Sequence, residues 1–141
     1  MRHLTEEDLV SLEPHHVGIV VSDLGRSKAF YAALGFEAVL ETGDADKSIV
    51  FMRLDGFQVE LFWYRETPPR GERTARMLGF RHLALRTDDI DAELARLRDA
   101  GVLGEDAAIR DLAGGWRLLF FDDPDGVEIE VMQEAQTRPT G

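Results

Sequence analysis

Residues 15–35 read HHVGIVVSDLGRSKAFYAALG, and residues 81–101 read RHLALRTDDIDAELARLRDAG. Displaced by 66 positions, the two stretches align without a gap. His16 falls on His82, Asp23 on Asp89, Leu24 on Ile90, Ala29 on Ala95 and Gly35 on Gly101. The apolar, β-branched run at 15–22 predicts a strand. Ala29, Phe30, Ala33 and Leu34 then share one face of a helix over 25–34, and Gly35 stands where a terminating glycine belongs. The second copy repeats this order. A strand is expected over 80–87, then a helix over 89–100 with Ile90, Leu94 and Leu97 at helical spacing, then Gly101. Such self-similarity marks a duplicated unit.

Beyond these stretches, strands are expected at 36–41, 48–54 and 57–63, with Asp55-Gly56 as the hairpin turn between the last two. Three more fit 106–111, 116–122 and 127–132, the last preceded by the turn Asp122-Asp123-Pro124-Asp125-Gly126. The stretch RETPPRGERTARMLG (65–79) is polar, carries two prolines and reads as a linker. The order is βαβββ, linker, βαβββ, an α+β fold of two tandem modules. Module one covers 14–64 and module two 80–133, within one domain over 14–133. Residues 1–13 read as an appendage with a short helix over 6–12, capped by Thr5 and ended by Pro14. Residues 134–141 read as a tail.

The 141 residues carry a formal net charge of -11. Such a chain repels phosphate backbones and anionic lipid, which argues against nucleic-acid and membrane partners. With no cysteine, disulfide frameworks, thiolate metal sites and thiol nucleophiles are excluded. No apolar run spans a bilayer and the N-terminus lacks a signal-peptide core, so a cytoplasmic location is expected.

Each module opens with a histidine in its first strand and carries a glutamate in its last: His16 and Glu60, then His82 and Glu130. A carboxylate in an apolar strand is costly unless paired or metal-bound. Taken singly, each of the four reads as readily as a structural or solvent-facing residue. Taken together, at equivalent places in two repeats, they read as ligands of one divalent ion. Two imidazoles and two carboxylates suit Ni, Zn, Co, Fe(II) or Mn. The carboxylates also cancel the ion's charge and leave two octahedral positions open.

The segments HHVGIVVSDLGRSKAFYAALGF, VELF, RHLALRTDDIDAELARLRDAGV and LLFFDDPDGVEIEV resemble the glyoxalase/bleomycin-resistance/extradiol-dioxygenase (vicinal oxygen chelate) superfamily over roughly residues 14–133. ELFWYRETPP with GFRHLAL is most similar to a bacterial branch described only as glyoxalase-like. The resemblance implies paired modules forming a cupped, incomplete β-barrel, commonly a homodimer, around a metal held by His16, Glu60, His82 and Glu130. That ligand set is the one of glyoxalase I; methylmalonyl-CoA epimerase has glutamine at the position of Glu60. It implies a lyase or isomerase acting on a small vicinal-oxygen substrate, with Glu130 or Glu60 shuttling a proton. The glutathione-holding arginine, asparagine and lysine of glyoxalase I are replaced here by Val20, Tyr64 and Ala113, so glutathione hemithioacetal is not the expected substrate. Two rivals stay open: an Fe(II) extradiol-type dioxygenase, and a non-catalytic antibiotic-binding protein.

Tyr64, Arg86 and Trp116 are candidate substrate contacts. Phe62, Tyr64, Trp116 and Phe120 suit an apolar lining, or else plain core. A salt bridge is the alternative for Arg86. Arg65, Arg70, Arg73 and Arg76 read as a solvated loop in preference to an anion-attracting rim. Glu128 reads as a wet rim residue in preference to a second acid or base, and His15 is expected to face away from His16.

Overall fold

The computed structural model describes residues 11–72, 74 and 76–135. The expected helix over 6–12 and most of the expected tail therefore lie outside the described residues. Module one contains β1 (His16–Val20), α1 (Leu24–Leu34), β2 (Glu37–Gly43), β3 (Lys47–Leu54) and β4 (Phe57–Tyr64). Module two contains β5 (Leu83–Arg86), α2 (Ile90–Asp99), β6 (Arg110–Asp111), β7 (Arg117–Asp122) and β8 (Glu128–Gln133). Each module folds into its own four-stranded sheet, ordered β1-β4-β3-β2 and β5-β8-β7-β6, so neither sheet closes into a barrel. In both, the first strand runs parallel to the last.

Local chemistry sets the boundaries. Asp23 and Asp89 each accept a hydrogen bond from the backbone N–H three residues on and so cap α1 and α2. Gly35 ends α1 at φ 115, and Asp55 and Gly56 turn the β3–β4 hairpin at φ 47 and 83. Three strands are clearly shorter than expected, β1 keeping only His16–Val20 of 15–22. β5 starts only at Leu83, where pairing with β8 begins, and Phe80 stands exposed before it. β6 keeps two residues of the predicted 106–111. The Ala107 N–H turns back to the Gly104 carbonyl, and its own carbonyl accepts from Arg98, so neither group serves a ladder.

Strand alternation decides which residues reach the core. Val59 and Leu61 are fully buried in a core that also holds Tyr31, Phe36 and Val50, and β4 packs on α1. Gln58, Glu60 and Phe62 therefore occupy the opposite face of β4. In module two, Ile129 and Val131 are core, which leaves Glu128 and Glu130 on the other face. Residues of both modules share one apolar cluster, in which Phe30 of α1 meets Phe121 of β7.

The modules are joined by the turn Asp122–Gly126. Asp123 is buried, and its Oδ1 accepts from the N–H groups of Asp125 and Val127. Its Oδ2 accepts from the hydroxyl of fully buried Tyr31 at 2.8 Å. Ser22 donates through its N–H and hydroxyl to Asp125, and Arg26 donates to the Pro124 carbonyl. Burial first, then the negative charge of Asp123, holds the Tyr31 hydroxyl well above its ordinary pKa. The folded chain thus keeps a proton that the unfolded chain releases near pH 10, and this contribution to stability is lost as pH rises beyond that point. Tyr31→Phe is expected to cost about 1–3 kcal/mol at neutral pH, because it leaves a buried carboxylate oxygen without its donor. Urea unfolding should also show that Y31F declines less steeply above pH ~10 than the unaltered chain; equal slopes would contradict this.

Candidate metal centre

In module one, Glu60 lies opposite Gly18 of β1 and Phe51 of β3, and only 9% of it is exposed. His16, the first residue of β1, sits two positions along the same face. Its Nε2 stands 3.3 Å from Glu60 Oε2, and its ring meets Phe51 edge-on at 5.3 Å. Nδ1 of the same ring lies 2.7 Å from Nδ1 of His15. His15 therefore turns toward His16, contrary to expectation. It precedes β1 and follows Pro14, so the alternation of strand faces does not bind it.

Module two repeats the arrangement. His82 Nε2 stands 2.8 Å from Glu130 Oε2, and Glu130 is likewise 9% exposed. Phe120, which lies opposite Glu130 as Phe51 lies opposite Glu60, packs at 5.7 Å from the imidazole. His82 Nδ1 and Glu128 Oε1 approach to 3.3 Å, yet both are buried and neither is aligned in a hydrogen bond. Glu128 is thus half-buried against His82, not the wet rim residue expected, because β8 enters the sheet one residue before Ile129 meets Leu83.

His16 and the rest of β1 border a cavity of about 490 Å³, whose other wall is Arg81, His82, Leu83 and Glu128. The structure therefore brings each histidine to its glutamate and both histidines to one cleft. It does not close the four side chains into a cage: among the described residues, no three His, Asp or Glu side chains form a group that could hold a metal. The donors themselves suit a borderline divalent ion, an imidazole nitrogen beside a buried carboxylate in each pair. A carboxylate buried to this degree gains from a positive partner.

The other candidates are dispersed. Tyr64 continues the Glu60 face of β4, stacks on Phe62 at 6.2 Å, and Lys47 Nζ lies over both rings. Arg86 is exposed and engages Glu134 at 3.7 Å, its salt-bridge reading. Trp116 sits half-exposed before β7. In the linker, Arg65 approaches Asp46 and Arg70 donates to the Asp125 carbonyl, while Arg73 lies outside the described residues. Arg70 also borders the cleft beside Arg81, which approaches Glu128 at 3.9 Å. Arg81 is not among the sequence candidates: it falls inside the strand expected over 80–87, where periodicity gives no reason to single out a charged residue beside His82. At the neighbouring Asp122, burial first, then the charges of Glu128 and Asp123, raises the carboxyl pKa against the pull of Arg70.

The profile of the Glyoxalase/Bleomycin resistance protein/Dioxygenase superfamily matches residues 13–131. The chain belongs to this superfamily. The protein YaeR of Escherichia coli (strain K12) is 37% identical over 126 residues, covering 85% of this chain and 95% of YaeR. A glyoxalase family protein from Enterococcus faecalis superposes with a TM-score of 0.72 at 32% identity, covering 85% of this chain and 96% of its own. The fosfomycin resistance protein FosX of Listeria monocytogenes, solved with Mn(II) and 1S,2S-dihydroxypropylphosphonic acid, shares the fold at TM-score 0.68 and 20% identity, covering 89% of this chain and 95% of FosX. No helix among the described residues is long and apolar enough to cross a membrane.

Gly18 of β1, opposite Glu60, packs closely against Phe62. A Cβ added to it would lie 3.2 Å from Phe62 Cε2, beside Glu60. Gly18→Val is expected to force Phe62 aside and to cost about 1–3 kcal/mol. Thermal unfolding measures this; an unchanged melting temperature would show that the face is not packed as described.

Proposed function

We propose that this chain is a cytoplasmic, homodimeric enzyme, a divalent-metal-dependent lyase or isomerase acting on a small α-oxo or α-hydroxycarbonyl substrate. His16, Glu60, His82 and Glu130 hold one Ni, Zn, Co, Fe or Mn ion. The observation that carries the reading is the repetition of one half-site: a buried glutamate, a histidine Nε2 against it and a phenylalanine opposite, in two modules whose histidines border one cleft. Two unrelated structural requirements would not produce the same trio twice.

A divalent ion at such a centre polarises a substrate carbonyl as a Lewis acid. The chain's own contribution is proton transfer and enclosure. A carboxylate oxygen of Glu130 or Glu60 takes the proton from the carbon next to the carbonyl: the C–H bond breaks, an O–H bond forms, and the electron pair passes toward the carbonyl oxygen. The same carboxyl returns the proton to the former carbonyl carbon, and the substrate's hydroxyl proton passes to the former carbonyl oxygen, which completes an isomerisation. Phe51, Phe62 and Phe120 keep that face apolar, which sharpens electrostatic effects by excluding water. Val20 sets an apolar side chain in the cleft where glyoxalase I has its glutathione-holding arginine, which supports a substrate other than glutathione hemithioacetal. The rings of Tyr64 and Trp116 and the guanidinium of Arg86 remain candidate contacts for its distal end.

The test is exchange of an α-proton for solvent deuterium in panels of α-hydroxycarbonyl compounds, followed by NMR with and without added Ni, Co or Zn. Metal-dependent exchange is expected, reduced about 10²-fold or more by Glu130→Gln. Oxygen consumption with catechols and no exchange would assign the chain to the dioxygenase side of the superfamily instead.

A further inference from the structure

Both candidate ligand histidines turn the same nitrogen the same way. Nε2 of His16 faces Glu60, and Nε2 of His82 faces Glu130. The opposite nitrogen of each ring then meets a second group, His15 at 2.7 Å for His16 and Glu128 at 3.3 Å for His82. The two second groups differ in chemistry. Two residues before its glutamate, β8 carries a carboxylate, Glu128, where β4 carries the neutral amide of Gln58. The carboxylate behind the histidine is thus particular to module two.

A neutral imidazole has one proton to distribute between two nitrogens. A carboxylate beside Nδ1 favours the form protonated there, which leaves the Nε2 lone pair for coordination. Here the Nδ1 of His82 and the Oε1 of Glu128 are both shut away from water and face each other across 3.3 Å without an aligned hydrogen bond. Two buried polar atoms in that relation are costly singly and are satisfied together by one shared proton.

We propose that Glu128 is a positioning residue. It holds the proton on His82 Nδ1 and fixes the ring so that Nε2 is presented, with Glu130, to a divalent cation. Module two is then the pre-organised half of the centre. Module one, where the exposed His15 replaces the carboxylate, is the weaker half. This rests on His82 and Glu130 being metal ligands, and it adds a role to a residue outside that set.

The experiment is calorimetric titration of the metal-free chain with Zn(II), for the unaltered protein and for Glu128→Leu, Glu128→Gln and Gln58→Leu. Glu128→Leu is expected to weaken zinc binding roughly 10- to 100-fold. Glu128→Gln, which keeps the shape and one neutral acceptor, should lose less, and it carries the test if the leucine variant does not fold. Gln58→Leu should leave the affinity unchanged. In the zinc-loaded protein, the His82 ring N–H should give a downfield, slowly exchanging proton resonance that shifts upfield in Glu128→Gln, a signature that loss of packing would not produce. Equal affinities and an unmoved resonance in the Glu128 variants overturn the positioning role alone. Failure of the unaltered chain to bind zinc overturns both this role and the ligand assignment beneath it.

Discussion

The arrangement depends on a buried carboxylate in the last strand of each module. Glu60 and Glu130 are as buried as Leu83 at the margin of the core, yet each points away from it, toward a histidine at the start of the first strand or just before it. A charge so placed is tolerated only with a positive or hydrogen-bonding partner. The parallel pairing of β1 with β4 and of β5 with β8 meets that demand: it sets His16, and His82 just before β5, two positions from the residue opposite the glutamate on the same face. The aromatic residue opposite each glutamate, Phe51 or Phe120, follows from the antiparallel neighbour strand.

His16 and His82 border one cleft while the modules are fastened elsewhere. The Asp122–Gly126 turn of module two receives Ser22 from just before α1, and Arg26 and Tyr31 from α1 itself. Arg96 of α2 in turn donates to the Ala33 carbonyl at the end of α1. These polar ties use none of His16, Glu60, His82 and Glu130, and the cleft between β1 and the approach to β5 is left open. Chemistry and cohesion are thereby assigned to different residues, and the turn sequence DDPDG serves cohesion.

Much of this is written in local sequence. The repeat, both helices and their aspartate caps, the Asp55-Gly56 turn and the two histidine–glutamate pairs follow from period, capping chemistry and the improbability of a glutamate in an apolar strand. Three things were not legible. The lengths of β5 and β6 depend on where a partner strand begins, which no local pattern encodes. The orientation of His15 depends on its lying just outside β1, one residue beyond the reach of strand alternation. The burial of Glu128 depends on the approach of His82 across the sheet, so an exposed reading was the natural one for a glutamate at a strand start. Arg81, charged and adjacent to a ligand candidate, is the same case.

Two histidines on one cleft, each beside its own glutamate, can serve one shared ion or two separate ones, and the difference is measurable. X-ray absorption at the zinc edge, combined with metal analysis of the loaded chain, counts imidazoles per ion and ions per chain. One zinc per chain with two imidazoles and carboxylate oxygens in its shell is the expected result. Two zinc ions per chain, each with a single imidazole, would contradict the shared centre.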